Sequence, residues 1–133
     1  MKLQITTDYA IRLIVYLAQN DMQVLTAKEL AKQLGITYNY FLKVVARIKQ
    51  AGIIESIQGP AGGYRLARSA EDITLYDIIQ IMEGDIRINR CLEEDKFCSR
   101  YAAPFCPVHK ILESVQNDLI ASLKSKRISD IGE

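Results

Sequence analysis

The sequence is short of the residue types that do covalent chemistry or cross-link a fold. Among 133 residues there is one histidine, no tryptophan, three prolines and three cysteines. No catalytic triad can be assembled and no nucleotide-binding motif is present, so an enzyme is not expected. The one glycine-rich stretch, Gly59-Pro60-Ala61-Gly62-Gly63, joins two strands and does not open a helix, so it is no phosphate cradle. No apolar run approaches the ~20 residues that span a bilayer. Met1 and Lys2 lead into Thr6, Thr7 and Asp8 without the apolar core of a signal peptide, and a cytoplasmic protein is expected. There is no internal repeat and no low-complexity stretch. Hydrophobic residues at 49% and charged residues at 25% exclude a disordered tail or a collagen-like repeat. They suit one globular domain, or one domain with an appendage.

The charge is divided along the chain. Residues 1–68 hold nine Lys or Arg against four Asp or Glu, a net +5, and residues 69–133 hold eight against twelve, a net −4. A basic half joined to an acidic half points to a nucleic-acid-binding module followed by something else, with chance clustering as the alternative.

Periodicity and caps place the elements. Tyr9, Ala10, Leu13, Ile14 and Leu17 recur at helical spacing, predicting a helix over about 7–19. Thr26-Ala27-Lys28-Glu29 has the form of a capping box and opens a second helix that stops at Gly35. Thr37 caps a third helix to about Ala51, with Phe41, Val44, Val45 and Ile48 as its inner face. Its other face carries Asn39, Tyr40, Lys43 and Arg47, and no acidic residue occurs from Tyr38 to Ala51. Two short helices about a tight glycine turn form a helix-turn-helix, whose second helix enters the DNA major groove. Lys43 and Arg47 can pair with phosphate or guanine, and Asn39 with adenine. A solvated cationic face on an ordinary helix pair is the competing explanation. The next stretch of chain weakens it: residues 53–57 and 64–66 read as a β-hairpin about Gln58–Gly63, the wing of a winged helix. Thr74 and Asp77 open a fourth helix ending at Gly84, with Leu75, Ile78, Ile79 and Met82 inward. Pro107 opens a long last helix to about Lys126, striped by Ile111, Leu112, Val115, Leu119, Ile120 and Leu123. At about 30 Å it exceeds what a small winged-helix core needs, and we expect it to join two subunits rather than fold back on its own domain. The expected fold is mainly α with a small β-hairpin wing. Its parts are a winged helix-turn-helix domain over 1–68, a connecting helix over 69–86, a cysteine loop over 87–106, and a dimerisation helix with its tail over 107–133.

The cysteines stand at Cys91, Cys98 and Cys106, with intervals of six and seven residues, and His109 comes after them. Such a cluster in a cytosolic chain favours metal or redox chemistry, since thiolates are soft ligands for iron–sulfur clusters and zinc. Cys106 sits at the cap of the last helix, where backbone N–H groups favour a thiolate, and His109 lies within one turn of it. A zinc site with three cysteines and one histidine fits the ligand count but lacks the usual short pairs. Three free cysteines, and His109 as a plain capping side chain, are further alternatives. Phe97, Tyr101 and Phe105 are expected to shield the loop.

Taken together, Thr7-Asp8-Tyr9-Ala10-Ile11-Arg12, the segments Glu29-Leu30-Ala31 and Ile36 to Tyr40, the wing Gln58 to Tyr64 and the ending Ile128-Ser129-Asp130-Ile131 resemble the IscR/NsrR group of bacterial regulators, the Rrf2 family. The resemblance covers nearly the whole chain. It implies a homodimer on double-stranded DNA, with Thr37, Tyr38, Asn39, Tyr40, Lys43 and Arg47 at the major groove. The wing residues Gln58, Gly59, Pro60 and Arg65 would lie near the minor groove. Relatives commonly have arginine at the position of Gln58, leaving Arg65 or Arg68 as partial substitutes. It also implies an iron–sulfur cluster, 2Fe–2S or 4Fe–4S, on Cys91, Cys98 and Cys106, although relatives commonly space these cysteines by five and five. For the fourth ligand it offers two candidates. One is His109; the other is Asp8, because some relatives supply an acid from the first helix of the partner subunit. The resemblance thus implies a regulator whose operator affinity depends on a cluster sensing redox state, nitric oxide or iron–sulfur status. A cluster-free regulator answering to thiol oxidation or a protein partner is the alternative within the family. A zinc-stabilised interaction module without DNA binding is the alternative outside it.

Overall fold

Three threonines start three of the helices. In the computed structural model, which describes residues 1–21 and 24–132, α2 (Ala27–Leu34), α3 (Tyr38–Gln50) and α4 (Leu75–Glu83) each begin just after one. The side chains of Thr26, Thr37 and Thr74 accept from the backbone N–H three residues on, which satisfies one of the free donors of the first turn. Only Thr74 makes the reciprocal box, with Asp77 accepting from its backbone N–H at 2.9 Å. At α2 the Glu29 carboxylate accepts the Thr26 hydroxyl at 3.0 Å instead, so the expected box is half made. Thr74→Ala should cost about 1 kcal/mol, read as a lower urea midpoint at unchanged slope.

The first helix, α1 (Ile5–Gln19), starts two residues before its expected position. Gln4 supplies only its carbonyl there, accepting from Thr7 and Asp8. The earlier start puts Thr7 in the core beside Ala10, Leu13, Ile14 and Leu17, while Tyr9 is half-buried. The turn from α2 to α3 needs Gly35: its φ of +70° is costly for a side chain, and Ile36 N–H closes back on Ala31 O at 2.9 Å. Phe41, Val44, Val45 and Ile48 then face inward as predicted.

After α3 the chain forms a two-stranded antiparallel sheet, β1 (Ile54–Ile57) with β2 (Gly63–Leu66), in the register Ile54 to Leu66 and Ile57 to Gly63. A Cβ at Gly63 would collide with the Leu25 carbonyl, so the hairpin can rest on the segment before α2 only because residue 63 is glycine. Phe41 meets Tyr64 edge-on at 6.0 Å, fixing α3 to the hairpin. These elements share one core with Ile73 and Ile78 of the α4 region and with Ile128 near the C-terminus.

The last long helix, α5 (Pro107–Lys124), lies largely outside that core. Gln116 is its single buried residue, and Leu112, Leu119, Ile120 and Leu123 are half-buried. Val108, Ile111 and Val115 are 59, 64 and 52% exposed. Beyond α5 the chain returns: Leu75 N–H bonds Lys126 O and Ile128 N–H bonds Ile73 O, both at 2.8 Å. The segment between α4 and α5 contains a 3-10 turn at Arg90–Leu92 and is otherwise irregular, as expected. Among the described residues no helix is long and apolar enough to cross a membrane.

Candidate functional site

Because the inner face of α3 is apolar, its polar residues are forced outward. Tyr38, Asn39, Tyr40 and Lys43 are exposed on the first two turns, after Thr37. The aromatic rings steady the cations. Lys43 Nζ sits 5.5 Å from the Tyr40 ring centre and Lys28 Nζ 5.8 Å from that of Tyr38. Tyr40 in turn meets Tyr9 of α1 edge-on at 6.1 Å. Arg47 departs from this set. Its Nη2 donates to the Ile81 carbonyl on α4 at 2.8 Å.

The wing tip, Gln58 to Ala61, is exposed and carries no charge. Arg65 behind it pairs with Glu55 across the strands at 2.6 Å, and Arg68 donates to Asp72 O at 2.7 Å. Both members of the Arg65–Glu55 pair are exposed, so the pair is weak and Arg65 can be drawn from it by a stronger anion.

The second group of residues surrounds a cavity of about 380 Å³ at the start of α5, lined by Cys91, Cys98, Cys106 and His109, with Phe97 and Ala103. All three thiols are free and half-buried. Asn89 Nδ2 donates to Cys91 Sγ at 3.3 Å. The backbone N–H groups of Ala102 and, secondarily, Arg100 donate to Cys98 and hold its thiol below the ordinary cysteine range. Cys106 caps α5, but its side chain makes no capping bond, which leaves the sulfur to the cavity. The His109 side chain is only 13% exposed, and its Nδ1 is buried without a hydrogen-bond partner; Nε2 lies 3.8 Å from Glu113. Asp8 does not join this group within the chain. It sits on α1, paired with Arg12 at 2.7 Å. Among the described residues no three of Cys, His, Asp and Glu converge closely enough to hold a metal ion, so the thiols share a cavity without forming a closed ligand set.

The expected aromatic shield is not there. Tyr101 and Phe105 are 88 and 82% exposed, and only Phe97 lines the cavity, under the Arg90 guanidinium at 5.0 Å. The loop is instead anchored by polar residues that carry no sequence signal. Arg90 forks onto both Asp95 oxygens at 2.6 and 2.7 Å, and this pairing, with the Phe97 N–H, holds the Asp95 carboxyl down at about 2. Gln116 of α5 accepts the Ile88 N–H at 2.9 Å. Lys96 and Tyr101, flanking Cys98, adopt left-handed backbone at φ +50° and +52°, a strained state for non-glycine residues.

Comparison with known proteins identifies the family. A family model described as Rrf2, an iron-dependent transcriptional regulator, matches residues 3–133. The HTH-type transcriptional regulator NsrR of Bacillus subtilis is 30% identical over 133 residues, spanning 98% of this chain and 90% of its own. Among solved structures, IscR of T. potens superimposes with a TM-score of 0.76 at 25% identity, over 98% of this chain and 85% of that one. CymR, the global cysteine regulator of B. subtilis, does so at 0.73 and 25% identity, over 98 and 95%. These relatives are regulators, not enzymes. The chain therefore belongs to the Rrf2 family and is a DNA-binding transcriptional regulator with the winged-helix fold.

Proposed function

We propose that this regulator is a cytoplasmic homodimer whose operator affinity is set by an iron–sulfur cluster bound at Cys91, Cys98 and Cys106. The observation that carries the reading is the shared cavity, lined by three free thiols and by His109, whose Nδ1 is buried without a hydrogen-bond partner. Sulfur donors with one nitrogen are a donor set that iron–sulfur clusters accept. Of the two candidates for the fourth ligand, the orphaned Nδ1 favours His109, while Asp8, in an exposed pair with Arg12, remains accessible to a partner copy. When bound, such a cluster supplies a centre sensitive to oxygen, nitric oxide or iron–sulfur supply.

The rest is the work of the protein's own residues. Asn89 and the Ala102 and Arg100 N–H groups orient two of the sulfurs. Gln116 ties the segment to α5. Drawing the three thiols together moves that segment relative to α4 and α5, and so biases how the two DNA-binding halves stand. In each half Thr37, Tyr38, Asn39, Tyr40 and Lys43 face a major groove, while Gln58, Gly59 and Pro60 lie near the minor groove with Arg65 behind them. The exposed Val108, Ile111 and Val115 of α5 are the face on which two copies meet.

A cluster-free thiol regulator is the second reading. It is favoured by the depressed Cys98 thiol and by the likeness to CymR, named as a global cysteine regulator. The test compares oxygen-free protein with iron and sulfide intact against the same protein stripped, on one promoter fragment at fixed salt. The two should differ in affinity by about 5- to 150-fold. Equal binding by both preparations defeats the reading, and a colourless, iron-free isolate supports the thiol alternative.

A further inference from the structure

Arg47 stands on the DNA-reading helix, one turn past Lys43 and directly before the buried Ile48. Its guanidinium is nevertheless engaged by another helix. α4 ends at Glu83, so the Ile81 carbonyl belongs to its last turn, where backbone oxygens lack donors from a further turn of helix. The Gly84 N–H satisfies Gln80 O at 2.9 Å, and Arg47 Nη2 satisfies Ile81 O at 2.8 Å. A cation is well placed at this negative end of the helix dipole. Arg47 is thus a cap for α4, contributed from α3 across 34 residues of sequence.

The same turn of α4 is where the cysteine segment begins. Gln80 Nε2 donates to Asp85 at 3.2 Å. Ile88 N–H then bonds Gln116 of α5, and Asn89 bonds the Cys91 sulfur. The end of α4 that Arg47 caps therefore leads directly into the stretch of chain that carries the first cysteine. Hydrogen bonds weaken steeply as distance and angle depart from optimum, so a small shift of the α4 end, which the 84–91 segment continues, can release or seat Arg47.

We propose that Arg47 is a positioning residue, which fastens the DNA-reading helix to the end of α4 and so carries the state of the cysteine cavity to the DNA. This role rests on cluster control of operator affinity. An arginine that merely touched a phosphate would leave a different signature. Its loss would weaken binding in both preparations alike and lower the slope of log affinity against log salt by about 1.

The experiment measures Arg47→Gln and Arg47→Lys beside the wild-type dimer, each iron-replete and stripped, on the same promoter fragment across a salt series. For Arg47→Gln the affinity ratio between the two preparations should fall to within about twofold of one, with the salt slope kept. A retained ratio with a slope lowered by about 1 overturns the proposal. Amide hydrogen exchange on the stripped proteins supplies a readout independent of the cluster. The Gly84 N–H should exchange about two- to fivefold faster in Arg47→Gln, with part of the protection restored by Arg47→Lys. Unchanged exchange there also overturns it. If the wild-type ratio is itself one, cluster control fails, and the exchange result still decides the α3–α4 link.

Discussion

Cys98→Ala, purified without oxygen, should lose the iron, the acid-labile sulfide and the visible absorbance that the proposed cluster would give the wild-type protein. The effect should be near-complete rather than graded, because the change removes one of only three thiolates in the cavity and leaves no spare cysteine to replace it. Cys98 is the sensitive position for a structural reason. Its sulfur receives two backbone N–H groups, from Ala102 and Arg100, and sits between the left-handed Lys96 and Tyr101. Folding should survive, since the cysteine is half-buried in an irregular loop away from the main core. Circular dichroism of the variant should therefore match wild type. Iron content and absorbance unchanged in Cys98→Ala would remove this cysteine from the ligand set and with it the three-cysteine assignment.

Val115→Asp should convert the proposed dimer into monomers. Val108, Ile111 and Val115 lie at steps of three and four on a helix about 27 Å long, and each is more than half exposed in the single chain. Beside the second half of that helix lies a mostly apolar groove of about 460 Å³, lined by Leu3, Leu75, Ile79, Leu119 and Leu123 among others. A carboxylate placed on the stripe must be desolvated without a partner when two copies meet, a cost of several kcal/mol. In the isolated chain it faces water and costs little. Sedimentation at micromolar concentration should show a folded monomer. Operator affinity should fall at least 100-fold, because one reading head then holds one half-site alone. A variant that stays dimeric would place the subunit contact elsewhere.

How much of the fold is legible in the chain depends on where each contact partner sits. The core of α2, α3 and the hairpin is legible because its signals are local. Thr26 and Thr37 start the helices, Gly35 turns the chain, and Phe41, Val44, Val45 and Ile48 keep helical spacing. The start of α1 is not, because Gln4 caps with its carbonyl alone and Thr7 is a polar residue in an apolar site. Local reading places Arg47 among the groove residues and gives no sign of its bond to a carbonyl 34 residues away. In the cysteine segment, residue type identifies the thiols and His109. Their supports, Asn89, Gln116 and the Arg90–Asp95 fork, obey no periodicity and emerge only in three dimensions. Tyr101 and Phe105 show the opposite failure. Aromatic character suggests burial, but single-chain loop residues have nothing packed over them.

The return of the chain after α5 has a mechanical consequence. Thr74 and Arg127 form an antiparallel bridge, flanked by the two backbone bonds to Lys126 and Ile128, and Ile128 is 1% exposed within the winged-helix core. The far end of the rod is therefore pinned to the winged-helix head, while its near end rises from the thiol pocket. On the proposed reading a displacement at the near end would be delivered as a tilt about that pin, as a lever turns on its fulcrum, since the backbone bonds at 126–128 oppose sliding along the rod axis.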